Sequence, residues 1–65
     1  MSKRVEKNME IKEGQIWKIK NSNRPDVEIV RYDIYSQKVY WRYVGERTTF
    51  ENSQATFLGG FEPKG

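Results

Sequence analysis

Residues 38–44 read Lys-Val-Tyr-Trp-Arg-Tyr-Val and put Val39, Trp41 and Tyr43 on one parity and Lys38, Tyr40 and Arg42 on the other. A period of two sends neighbouring side chains to opposite faces of a strand, whereas a helix would scatter the same set around its axis. The stretch therefore specifies a strand with one face to bury, which needs partner strands and a core. The chain has 65 residues without cysteine or histidine, so neither a disulfide framework nor the usual zinc ligand sets can brace it. A chain of this size buries roughly 60% of its unfolded surface and forms one domain. Three Phe, four Tyr and two Trp supply large buried areas from few positions and argue against disorder.

The remaining segments read as strands of the same kind. Residues 15–20 alternate, with Trp17 and Ile19 inward and Lys18 and Lys20 outward. Gly14 precedes them as a turn, and Asn21-Ser22-Asn23-Arg24-Pro25-Asp26 follows as the longest loop. Residues 27–34 are rich in β-branched and aromatic side chains. Val27 and Ile29 point inward, but Val30, Tyr32 and Ile34 form a second apolar set on the other parity, as a bulge or a sheet switch in mid-strand produces. Tyr35-Ser36-Gln37 is a short hairpin connection and Gly45-Glu46 a tight turn. A fourth strand is expected over residues 47–51, with Thr48 and Phe50 on one side. Residues 52–58 begin with capping side chains and run to Gly59-Gly60, the pattern of one helical turn, with Phe57 and Leu58 plugging an end of the barrel. Phe61-Glu62-Pro63 adds a last strand, its proline at an edge. The expected fold is all-β: one five-stranded barrel over residues 11–63, with a helical turn before the last strand. Residues 1–10 are polar and of mixed charge, and read as a flexible tail or as an arm that closes on a partner.

No apolar run of a secretory leader or a membrane span occurs near the start; the expectation is a cytoplasmic protein with no membrane partner. The formal net charge of +3 and a pI near 9.3 permit contact with phosphate without demanding it. Without Cys or His, a Gly-rich loop or a metal-ligand spacing, neither catalysis nor a cofactor or metal is expected. Asp26, Glu28 and Asp33 read as solvated carboxylates.

Two binding functions stay open. Lys38, Tyr40 and Arg42 share a face, and Tyr32 and Tyr35 are expected nearby across the hairpin; cations beside rings suit the phosphates and bases of DNA or RNA. The same residues also suit a plain sheet surface, Tyr40 covering it and Lys38 and Arg42 keeping an edge soluble. In the second function a protein partner is anchored by aromatics with Arg24 or Arg42, or pairs with an exposed barrel edge. A register slip of one residue would turn Trp41 and Tyr43 outward and open an aromatic cage for a methylated cation.

The order of elements resembles the Src-homology-3-like barrel in its KOW and Tudor variants. Residues 11–17, Ile-Lys-Glu-Gly-Gln-Ile-Trp, resemble the opening of the KOW motif, and residues 27–30 and 38–42 take the places of its next two strands. KOW loops carry glycines where this chain has residues 21–26, so the resemblance implies the barrel and does not carry over nucleic-acid or ribosome binding. Gly14, Ile16, Trp17, Thr48, Phe50 and Phe57 also resemble positions in short phage-encoded proteins. That kinship implies an accessory factor that binds and modulates a host protein.

Overall fold

A computed structural model describes residues 10–64; the tail expected over residues 1–10 lies, apart from Glu10, outside the described residues. The elements run β1 (Ile16–Ile19), β2 (Val27–Asp33), β3 (Lys38–Tyr43), β4 (Thr49–Ser53), α1 (Gln54–Gly60) and β5 (Phe61–Pro63). They form one antiparallel sheet in the order β4-β3-β2-β1-β5. The first four strands are a meander, and α1 then carries the chain from one edge of the sheet to the other. The result is compatible with a Src-homology-3-like barrel, with the helix directly before the last strand.

The core is Ile11, Trp17, Val27, Ile29, Val39, Trp41 and Phe57, the inward parity expected for the first three strands. Burying each such side chain contributes about 1.5–3 kcal/mol. A row of rings joins the two ends of the sheet. Trp17 meets Phe57 edge-on at 5.0 Å, Phe57 stacks on Phe61 at 4.3 Å, Phe61 tilts against Trp41 at 4.9 Å, and Trp41 stacks on Phe50 at 4.7 Å. Both indoles bury their rings without leaving a donor unpaired: Trp17 Nε1 donates to Gln15 Oε1 at 3.0 Å and Trp41 Nε1 to Asn52 Oδ1 at 2.8 Å.

The double apolar set in β2 resolves as a bulge. Ile29 pairs with Trp41, and the next partner pair is Arg31 with Tyr40, so Val30 is the extra residue and the parity reverses behind it. Of the second set only Tyr32 turns to the core, where it packs against the buried cluster. Val30 is half-buried and Ile34, outside the strand, is 67% exposed.

The larger departures from the expected boundaries lie at β4 and the start of α1. Strand β4 spans residues 49–53 instead of 47–51, and the helix starts at Gln54 instead of residue 52. Asn52 and Ser53 stay paired with Val39 and Lys38. Ser53 has φ −65° and ψ 155°, and its hydroxyl accepts from the Thr56 N–H at 3.2 Å. An N-cap is extended, so one residue ends the strand and starts the helix. Gly45, at φ +88°, makes the β3–β4 turn in a conformation that side chains disfavour. Among the described residues no helix is long and apolar enough to cross a membrane.

Candidate binding surfaces of the barrel

Lys38, Tyr40 and Arg42 lie together on the outer face of β3, in register with Asp33, Arg31 and Glu28 of β2 and with Ser53, Glu51 and Thr49 of β4. Their cations are engaged. Arg42 donates from Nε at 3.1 Å and Nη2 at 3.0 Å to one Glu28 oxygen. Lys38 Nζ lies 2.6 Å from Glu51 Oε2, a hydrogen bond that holds the amine above its ordinary pKa. Arg31 lies over the Tyr40 ring at 5.4 Å, with Nη2 3.6 Å from Asp33. Three cations thus meet three carboxylates on this face. A phosphate binding there would have to displace Glu28 or Glu51.

The other candidates lie elsewhere. Tyr32 was expected beside Tyr40; the bulge at Val30 puts it on the opposite face, opposite Val39, with its hydroxyl donating to Gln54 Oε1. Tyr35 stands at the tip of the β2–β3 turn, 96% exposed. The Asp33 carboxylate accepts from the N–H groups of Tyr35 and Ser36 in that turn, which holds it below its ordinary pKa. Arg24 sits in the β1–β2 loop and donates from Nη1 to the Tyr43 hydroxyl at 3.3 Å. The slipped register is not adopted, since Trp41 is only 7% exposed.

A second surface forms where the inner face reaches the β4 side. Trp41 is its floor, Phe50 is 40% exposed, and Tyr43 and Phe61 are half-buried. Tyr43 approaches Trp41 edge-on at 5.4 Å and Phe50 at 5.9 Å. Sequence parity puts Trp41 and Tyr43 on the face to be buried, and pairing with Trp41 puts Phe50 on the same face. The signal passed over is the surplus of rings at this end, with no apolar segment left in residues 10–64 to cover them all.

Charge divides between the two surfaces. Residues 10–64 hold nine Lys or Arg and eight Asp or Glu, so the folded body is nearly neutral and most of the net charge lies in residues 1–9. Six of those nine cations sit within 4 Å of a carboxylate. Among the described residues the other three are Lys20, whose Nζ donates to Leu58 O at 3.1 Å, Arg24 and Arg47. Arg24 touches Tyr43, Arg47 is exposed in the turn joining Tyr43 to β4, and the Lys20 N–H donates to Gly60 O beside Phe61.

A polar cleft of about 580 Å³ between the β1–β2 loop and β5 is lined by Lys18, Arg24, Asp26, Glu62 and Lys64. Lys18 faces Glu62 at 3.6 Å and Lys64 faces Asp26 at 2.7 Å, so its charges largely cancel. No family model matches the chain, and neither a curated protein nor a solved structure matches it.

Proposed function

We propose that this chain is a non-catalytic binding module, a cytoplasmic accessory factor built on a Src-homology-3-like barrel, and that its partner is a protein. The observation that carries the reading is the partly exposed shelf of Tyr43, Phe50 and Phe61 over the buried Trp41, with Arg24 on the Tyr43 hydroxyl. Aromatics and arginine are the side chains that dominate binding energy at protein interfaces, and an apolar floor with a charged rim suits them. The likeness to KOW and Tudor barrels and to short phage-encoded proteins accords with a role that consists of binding.

DNA or RNA is the weaker reading. It needs Lys38, Tyr40 and Arg42 as a phosphate-binding face, but Lys38 and Arg42 already hold Glu51 and Glu28. A nearly neutral body is a poor electrostatic footprint for a polyanion.

The test is affinity capture from nuclease-treated host lysate with three baits. The same protein should be retained by the wild type and by Lys38→Ala/Arg42→Ala, and lost with Phe50→Ala/Arg24→Ala. Retention that disappears on nuclease treatment, or that depends on Lys38 and Arg42 instead, overturns the reading in favour of nucleic acid.

A further inference from the structure

Among the described residues the outer edge of β4 has no partner strand. One rung beyond the strand, the Gln54 N–H donates to Gln37 O at 2.8 Å, in the register that sets Asn52 opposite Val39 and Phe50 opposite Trp41. Antiparallel rungs alternate between bonded and non-bonded pairs. Counting from that rung, Asn52 and Phe50 bond to β3, whereas Thr49 and Glu51 turn their N–H and C=O groups outward. The far side of β3 agrees: the Val44 N–H donates to Asp26 O at 3.0 Å, one rung beyond Tyr43 and Val27. That count makes Arg42 bond to β2 and leaves Trp41 for β4.

Sheets protect such edges with proline, lysine, bulges or shortness. Strand β5 is three residues long and ends in Pro63. Strand β4 is five residues long, has no proline, lysine or register shift, and its one charged side chain, Glu51, is drawn to Lys38. A strand laid beside it would set its inward side chains next to the exposed ring of Phe50, at the margin of the shelf. Its charge is indicated by Arg24, on the Tyr43 hydroxyl, and Arg47, exposed between Tyr43 and β4, neither of which has a carboxylate within 4 Å among the described residues.

We infer that β4 accepts an extended acidic segment of the partner protein as a sixth strand. Alternate apolar side chains of that segment rest against Phe50 on the shelf, and its carboxylates meet Arg47 and Arg24. This rests on the protein-partner reading and specifies its chemistry. Main-chain bonds supply affinity in this mode, and alternate side chains supply specificity.

The test uses a library of short displayed peptides selected on the full 65-residue chain, with a fluorescent selected peptide as the probe. Selection should return apolar residues at every second position with Asp or Glu between them. Thr49→Pro removes an outward N–H at a position where an edge strand tolerates proline. Chemical synthesis with an N-methylated Glu51 amide removes a second outward N–H and keeps the side chain, should the proline variant fail to fold. Either change should weaken the peptide about tenfold or more, as loss of a central main-chain contact does, with an unchanged circular dichroism spectrum.

Undiminished binding to the N-methylated chain, with loss on Phe50→Ala, overturns strand addition and leaves the protein-partner reading standing. Failure to select any peptide, together with binding of single-stranded oligothymidine, overturns both. A wild-type dimer in sedimentation that N-methylation of Glu51 dissociates overturns the acidic segment in favour of a second copy of this chain.

Discussion

Arg42 faces Glu28 across β3 and β2 in direct register, and places both its Nε and its Nη2 on one carboxylate oxygen, at 3.1 and 3.0 Å. That pairing, repeated by Lys38 with Glu51, makes the outer face electrically balanced. Freeing both cations should therefore create a phosphate-binding face that the wild type lacks. Glu28→Gln/Glu51→Gln is expected to bind single-stranded oligothymidine at low salt and to steepen the log affinity against log salt slope by about 1.4 for two freed cations. Fluorescence anisotropy across a salt series measures it. Stability should change little, because solvent screens these half-exposed side chains.

Phe57 and Phe50 are both stacked rings, but only one is enclosed. Phe57 is fully buried between Trp17 and Phe61, whereas Phe50 is 40% exposed over Trp41. Phe57→Ala should cost about 3–5 kcal/mol, enough to unfold much of a domain this small. Phe50→Ala should cost about 1 kcal/mol, within the ordinary range for a half-open site. Urea denaturation followed by tryptophan fluorescence separates the two, and equal costs would mean that the shelf is core.

The strand-to-helix junction hangs on Ser53. Its hydroxyl accepts from the Thr56 N–H and donates to the Thr56 hydroxyl. Ser53→Ala should destabilise the chain by about 1 kcal/mol, while Ser53→Asp, which keeps an acceptor, should restore most of it. The shift in urea midpoint at constant slope is the measurement.

Asp33 makes stability depend on pH. The N–H groups of Tyr35, first, and of Ser36 hold its pKa below the ordinary value in the folded chain. A carboxyl whose folded pKa is depressed adds stability above its unfolded pKa, about 3.9 for aspartate, and loses it as pH falls through the lower folded value. Urea midpoints of the wild type should fall with pH in that window more than those of Asp33→Ala, which lacks both acceptors. Parallel curves would show that the turn draws nothing from the ionised carboxylate.

The inward set Trp17, Val27, Ile29, Val39 and Trp41 was legible because a period of two is written directly in residue order. The placing of Phe57 as a plug after a run of capping side chains was legible for a similar local reason. The bulge was half legible: two apolar parities in residues 27–34 announced an irregularity, but only the partner strand shows that Val30 is the extra residue. That single insertion puts Tyr32 opposite Val39, on the face away from Tyr40. The start of α1 was misplaced by two residues because Asn52 and Ser53 are good caps in isolation, and only pairing with Val39 and Lys38 keeps them in β4.

For residues 38–44, the sequence by itself determined that Lys38, Tyr40 and Arg42 share one face and Val39, Trp41 and Tyr43 the other, since strand pleat is a local property. Tertiary structure alone decided what each face is. Glu28 and Glu51 come from other strands and neutralise the first face. The second is covered by α1 and β5 at one end and left open beside β4 at the other. Charge compensation and cover both depend on which strands become neighbours, and no short-range pattern in the chain encodes that.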